Sequence, residues 1–174
     1  MKFILSLIKI SFIYFILTIN AYSNEKIVYV DMNSLINSSK AGTSINNQMK
    51  KILDKNNTEY QSLEKKLRQE EKDLLNKKNV LDPNKYKDEV NIFKNKINKL
   101  KIERNKEIED IQKRNVKAKN ELVNIVTEIL AKYSAENQIK LVLNKESIIL
   151  GIKTIDITNE ILTLLDKKVK KINF

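Results

Sequence analysis

Residues 81–87 read LDPNKYK and hold the only proline of the chain, Pro83. Around it, residues 43–133 contain no glycine and repeat apolar positions at helical spacing. Proline lacks an N–H and suits the first turn of a helix, aspartate is a favoured N-cap, and the residue before proline is pushed out of helical geometry. Leu81, Asp82, Pro83 and Asn84 therefore read as the end of one helix and the start of another, an antiparallel hairpin with its tip at 81–85. A single rod kinked at Pro83 is the competing reading. It is disfavoured because the apolar registers stop and restart on opposite sides of the proline.

Working outward from the tip, the first arm carries Leu53, Tyr60, Leu67, Leu74 and Leu81 at strict sevens. Its complementary seam is Met49, Asn56, Leu63, Glu70 and Lys77, increasingly polar toward the tip. The second arm restarts with Tyr86, Val90, Phe93, Ile97 and Leu100, crosses a charged stretch at Arg104 and Glu107, and resumes at Ile108, Ile111, Ala118, Leu122, Ile125 and Ile129. The offset between Leu100 and Ile108 is an insertion in the repeat that locally unwinds a supercoil. At helical rise, Ile45 to Leu81 spans roughly 55 Å and Pro83 to Tyr133 roughly 75 Å.

Composition agrees with long solvated helices. The 174 residues include 33 Lys plus Arg against 22 Asp plus Glu, two glycines, one proline, and no histidine, cysteine or tryptophan. Missing His and Cys argue against the usual zinc sites, thiol chemistry and imidazole catalysis. The isolated glycines, Gly42 and Gly151, form no phosphate-cradling loop. Adjacent acids such as Glu70 and Glu71, or Asp88 and Glu89, diverge by about 100° on a helix and do not converge as an acid–base pair. No catalytic, cofactor-binding or metal-binding residue is singled out, and the chain is read as a non-enzyme.

Residues 1–23, MKFILSLIKISFIYFILTINAYS, have lysines at 2 and 9, an apolar run from Ile10 to Ile19, and the small residues Ala21 and Ser23 before polar sequence. This is the pattern of an export signal cleaved between Ser23 and Asn24. An uncleaved anchor is the alternative, since the stretch from Phe3 approaches the ~17-residue minimum for spanning a bilayer. Removal of Lys2 and Lys9 takes the formal charge from +11 to +9.

Residues 24–44 and 135–174 are expected to form a body at the root of the 45–134 arm. Lys26 to Asp31 reads as a strand, followed by a short helix bearing Met32, Leu35 and Ile36. Thr43 or Ser44 is the expected cap of the long helix. Residues 139–144, 147–151 and 154–157 read as three further strands, and Thr158 as the cap of a closing amphipathic helix. Four short strands with open edges are marginal alone and invite self-association. The body core is assigned to Ile27, Val28, Val30, Leu141, Leu143, Ile148, Ile149 and Ile157.

The span from Asn46 to Lys132 holds 22 basic and 15 acidic residues, a net +7. For any one charge a solvated helical surface is the simplest account. The excess favours acidic partners such as anionic lipid or acidic polypeptide; nucleic acid is disfavoured, with neither a binding motif nor a stacking-aromatic pattern. Tyr60, Lys65, Lys66, Tyr86, Phe93, Lys94, Lys96 and Lys99 are the candidates for contact with a bound chain along the arms.

The export signal, KIVYVDMNSLINSSKAGTSINNQMKK, the basic hairpin and IKLVLNKESIILGIKTIDITNEILTLLDKKV together resemble the Skp (OmpH) family of periplasmic chaperones. The specific pieces are the strand–Asp31–Met32–x–x–Leu35 run leading to Ala41-Gly42, and the closing Asp156-Ile157-Thr158 before the last helix. The resemblance implies an α+β, mostly α fold: a small β body joined in a homotrimeric barrel-like core, with long antiparallel helical-hairpin arms around a cavity. It implies an ATP-independent holdase for unfolded outer-membrane β-barrel proteins in the periplasm, with no cofactor. No lipopolysaccharide-binding motif maps onto the chain, which is Lys-rich with only three arginines, Arg68, Arg104 and Arg114. A structural or adaptor coiled coil binding a folded partner, or a membrane-anchored organiser, are the alternatives.

Overall fold

The computed structural model describes residues 25–174; the export segment and its junction at Ser23 and Asn24 lie outside them. Strand β1 (Lys26–Val30) leads into helix α1 (Met32–Ser38), then α2 (Lys40–Asn76) and a 3-10 turn at Lys77–Asn79. Helix α3 (Pro83–Glu136) returns antiparallel to α2, and the chain closes with β2 (Ile139–Asn144) and α4 (Thr158–Lys168).

The hairpin turns where local chemistry directs it. The Asp82 carboxylate accepts from the N–H groups of Asn84 and Lys85, and Pro83 is the first residue of α3. At the other end Asn137 caps α3, and Gln138 takes a left-handed conformation (φ 55°), turning the chain into β2. The two arms, 37 and 54 residues, correspond to roughly 55 and 80 Å of helix.

In the body β1 and β2 pair in parallel, with Ile27 opposite Leu141, Val28 opposite Val142 and Tyr29 opposite Leu143. Parallel pairing requires a long crossover. Here the whole hairpin is the crossover. Val28 and Val30 turn inward onto Leu35, Ala41, Ile45, Ala118, Leu122, Val126, Ile129, Ile139, Ile157, Ile161, Leu165 and Ile172, so one core unites the body with the root of the arm.

Several expectations are corrected. Among the described residues the four-strand patch is a two-strand sheet: residues 148–152 are irregular after a 3-10 turn at Lys145–Ser147, and Lys153–Ile155 is another 3-10 turn. What remains of the last strand is one bridge, Tyr29 with Asp156, where the Ile157 N–H donates to the Tyr29 carbonyl at 3.0 Å. β-branched content alone made no strand where no neighbouring strand stood to pair with it. The cap of the long helix is Ser39, not Thr43 or Ser44. Its buried hydroxyl accepts from the Gly42 N–H at 3.1 Å, so Ala41 and Gly42 are inside the helix. Thr158 is the first residue of α4, and its N–H donates to Asp156 Oδ1 at 3.0 Å.

Asp156 sits at a polar junction of the body. Burial pushes its carboxyl up, but the Thr158 hydroxyl and N–H and the Lys145 ammonium outweigh that, and the net shift is downward. Lys145 also reaches Asp31, whose N–H donates to Thr158 Oγ1 at 2.9 Å. A depressed folded-state pKa gives stability that is present above the unfolded carboxyl value of about 3.9 and is lost as pH falls through the folded value. Asp156→Asn should therefore be less stable than the native chain at neutral pH, with the difference narrowing under acid. Urea midpoints at pH 7, 4 and 3 measure this; a gap that stays constant over that range contradicts it.

Candidate functional site

The seam of the arm changes character along its length. Near the root it is closed: Ile45 of α2 and Ala118, Leu122, Val126 and Ile129 of α3 are buried. Midway comes a polar layer. Asn56 donates to Glu107, and the Arg104 guanidinium lies 5.2 Å from the centre of the Tyr60 ring while bonding Glu64 at 3.0 Å. Burial raises the Tyr60 phenol pKa, as do the neighbouring Glu107 and Glu103 carboxylates, with Arg104 opposing.

Beyond this layer no seam residue of either helix is buried; Leu67, Leu74, Tyr86, Val90, Phe93 and Leu100 are half-buried. Two isolated helices have only one face each to offer, and the complementary seam there turns polar, so the distal arm cannot close. Ion pairs between the helices, Lys96 with Glu70 and Lys77 with Glu89, hold it instead. Exposed pairs of this kind are worth about 0–1 kcal/mol each. Leu63, Leu75, Val80, Ile92, Ile97 and Ile102 remain exposed. A groove of ≈ 370 Å³ is lined by Leu74, Ile92 and Phe93 between Lys77 and Lys96, and another of ≈ 270 Å³ by Leu63, Leu67 and Leu100 between Lys66 and Lys99.

The candidate chain-contact residues are thereby distributed. Tyr60 is withdrawn: it is 5% exposed, inside the hairpin beneath Arg104, and is no surface contact. Tyr86 and Phe93 are half-buried on the distal seam, and Lys65, Lys66, Lys94, Lys96 and Lys99 are exposed. Lys96 is engaged with Glu70 and Lys99 lies near Glu103, whereas Lys65, Lys66 and Lys94 form no ion pair among the described residues. Sequence reasoning missed the grooves and the polar layer. The antiparallel register counted back from Asp82-Pro83 would have set Glu64 against Arg104 and Glu70 against Lys96.

The assigned body residues divide in the same way. Val28, Val30 and Ile157 are buried and Ile148 is half-buried, but Ile27, Leu141 and Leu143 face outward, and Ile149 (105%), Leu150 (92%) and Ile152 are exposed in the single chain. On the far side of β1 lies the Asp156 bridge, while the outer edge of β2 pairs with nothing among the described residues. No described helix is long and apolar enough to cross a membrane.

A long two-helix arm rooted in a small parallel-stranded body defines an α+β, mostly α, arm-and-body protein. The chain belongs to the outer membrane protein (OmpH-like) family, whose model matches residues 26–165. Its fold is similar to that of the OmpH-like protein of Caulobacter crescentus, to which an outer-membrane chaperone role has been ascribed. The TM-score is 0.81, with 18% identity over 87% of this chain and 90% of that one. Among curated proteins none matches.

Proposed function

We propose that this chain is an ATP-independent periplasmic holdase that keeps unfolded outer-membrane barrel proteins from aggregating by receiving them between basic arms. The observation that carries this reading is the distal arm, where half-exposed apolar side chains lie in open grooves edged by Lys66, Lys77, Lys96 and Lys99, of which Lys66 forms no ion pair among the described residues. Barrel strands alternate apolar and polar residues, and unfolded they present strips that such grooves can cover. A holdase needs only to bind the unfolded chain in preference to the folded one. No fuel is required. The family membership, and the role ascribed to the Caulobacter crescentus relative, support the same reading.

Three copies joined through the outward apolar face of β1, β2 and the Ile149–Ile152 loop would set the arms around a cavity. At the tips, Lys78, Lys85 and Lys87, unpaired among the described residues, would favour an anionic membrane surface by about 1 kcal/mol per lysine. The test is light-scattering mass of the chain from Asn24, alone and after dilution of a urea-unfolded barrel protein into it. A three-chain mass that rises by one soluble cargo chain is the expected result. Aggregation of the barrel beside an unchanged chaperone peak overturns the holdase reading.

The electrostatic part has its own test. Reversing Lys65, Lys66 and Lys94 to Glu should weaken cargo binding about tenfold at low ionic strength, and the loss should shrink as salt is raised. Equal affinities for both proteins at low salt would remove charge from the mechanism.

A further inference from the structure

The segment after α4 is already seated in a groove of the arm. Val169 is extended (φ −141°, ψ 126°), Lys170 is exposed at a bend, and over the last four residues exposure alternates: Lys171 exposed, Ile172 buried, Asn173 exposed, Phe174 half-buried. That is the period-two pattern of a strand lying on an apolar surface. Ile172 belongs to the core at the root of the hairpin. The Gln48 side chain grips the backbone as a neighbouring strand would: Nε2 donates to the Ile172 carbonyl at 2.8 Å, and Oε1 accepts from the Phe174 N–H at 3.4 Å. The Arg114 guanidinium of α3 lies 5.5 Å from the centre of the Phe174 ring.

We propose that the root of the arm is a seat for extended, alternating apolar chain, occupied in cis by Lys170–Phe174 and opened when an incoming strand displaces that segment. Each feature of the seat serves this and none depends on one particular sequence. Gln48 reads backbone, the hole filled by Ile172 takes an apolar side chain two residues before an aromatic, and Arg114 covers the aromatic face. The groove also continues. A cavity of ≈ 470 Å³ shares Arg114 with the seat and runs past Ile52 and Ile111 to Asn56 and Glu107 at the polar layer. A strand longer than the cis segment has somewhere to go. That the natural competitor is an unfolded barrel strand rests on the holdase reading; the seat itself does not.

The probe is a fluorescent peptide of residues 168–174, KVKKINF, titrated by anisotropy into the native chain and into a variant with Ile172→Ser and Phe174→Ser, which empties the seat without shortening the chain. A tethered segment competes at roughly millimolar effective concentration. The emptied variant should therefore bind the peptide about tenfold more tightly than the native chain, and a peptide with the same two serines should bind neither. Equal binding to both proteins, or binding indifferent to the two serines, overturns the seat. Should the double variant lose its helical circular dichroism, Phe174→Ser alone, which loosens the cis segment while leaving Ile172 in the core and Gln48 and Arg114 in the seat, is titrated instead and read the same way. Failure of the peptide while barrel proteins are still kept soluble removes the seat alone. Peptide binding with no protection of barrels leaves the seat standing and removes the holdase reading.

Discussion

Gly42→Ala is expected to destabilise the protein by about 2–4 kcal/mol, although the position is helical and alanine is the better helix former. A methyl group built on Gly42 would stand 1.8 Å from the carbonyl oxygen of Ile36 and 2.7 Å from its carbon. Both are backbone atoms, so no side-chain rotation relieves the overlap. The joint is fixed from both sides: Asp31 caps α1 through the Ser34 N–H at 2.8 Å, and Ser39, fully buried, caps α2 through Gly42 itself. Separating the helices would draw Leu35, Ala41 and Ile45 out of the core that joins the arm to the body. Helix propensity favours alanine by only about 1 kcal/mol. The clash decides the sign. For a described chain of this size, the expected fall in melting temperature is roughly 5–15 °C, read by circular dichroism at fixed protein concentration. An unchanged or higher melting temperature would show that the joint opens freely, which would dissolve the account of why Ala41-Gly42 follows the short helix.

That glycine marks the boundary of what the sequence could say. Its presence in the Asp31-to-Gly42 run was legible, but its reason is a close approach between two helices, and single-chain periodicity carries no such distance. Readings that rested on local chemistry needed only neighbours in sequence, as at Asp82-Pro83, where a carboxylate and a missing N–H start a helix whatever surrounds it. Strand content at 147–157 misled because apolar β-branched residues describe a surface to be covered, and within one chain Ile149 and Leu150 are not covered. The Tyr60 environment lies between these cases. Heptad spacing put the ring on the seam, and only the pairing register of α2 against α3 brings Arg104 over it. The seat of residues 170–174 was invisible, since five residues are too few to establish a period.

Replacing Ile149 and Leu150 with Asp should abolish assembly while leaving the single chain folded, and the contrast between those two effects is what makes the experiment decisive. Both side chains are almost fully exposed in the single chain, so charging them removes no packing within it; far-UV circular dichroism should be unchanged. In the proposed three-chain assembly, joined on the outward face of Ile27, Leu141, Leu143 and this loop, the same substitutions would bury two unpaired carboxylates per copy. Each carries a penalty of several kcal/mol. Since about 1.4 kcal/mol is a factor of ten, association should weaken by about a thousandfold or more, and the light-scattering mass should fall to that of one chain. A two-stranded parallel sheet has little independent stability, so the isolated chains should also melt earlier than the assembly at high concentration. A full-mass assembly carrying both aspartates would move the joining surface off this loop, and with it the arrangement of arms on which a shared cavity depends.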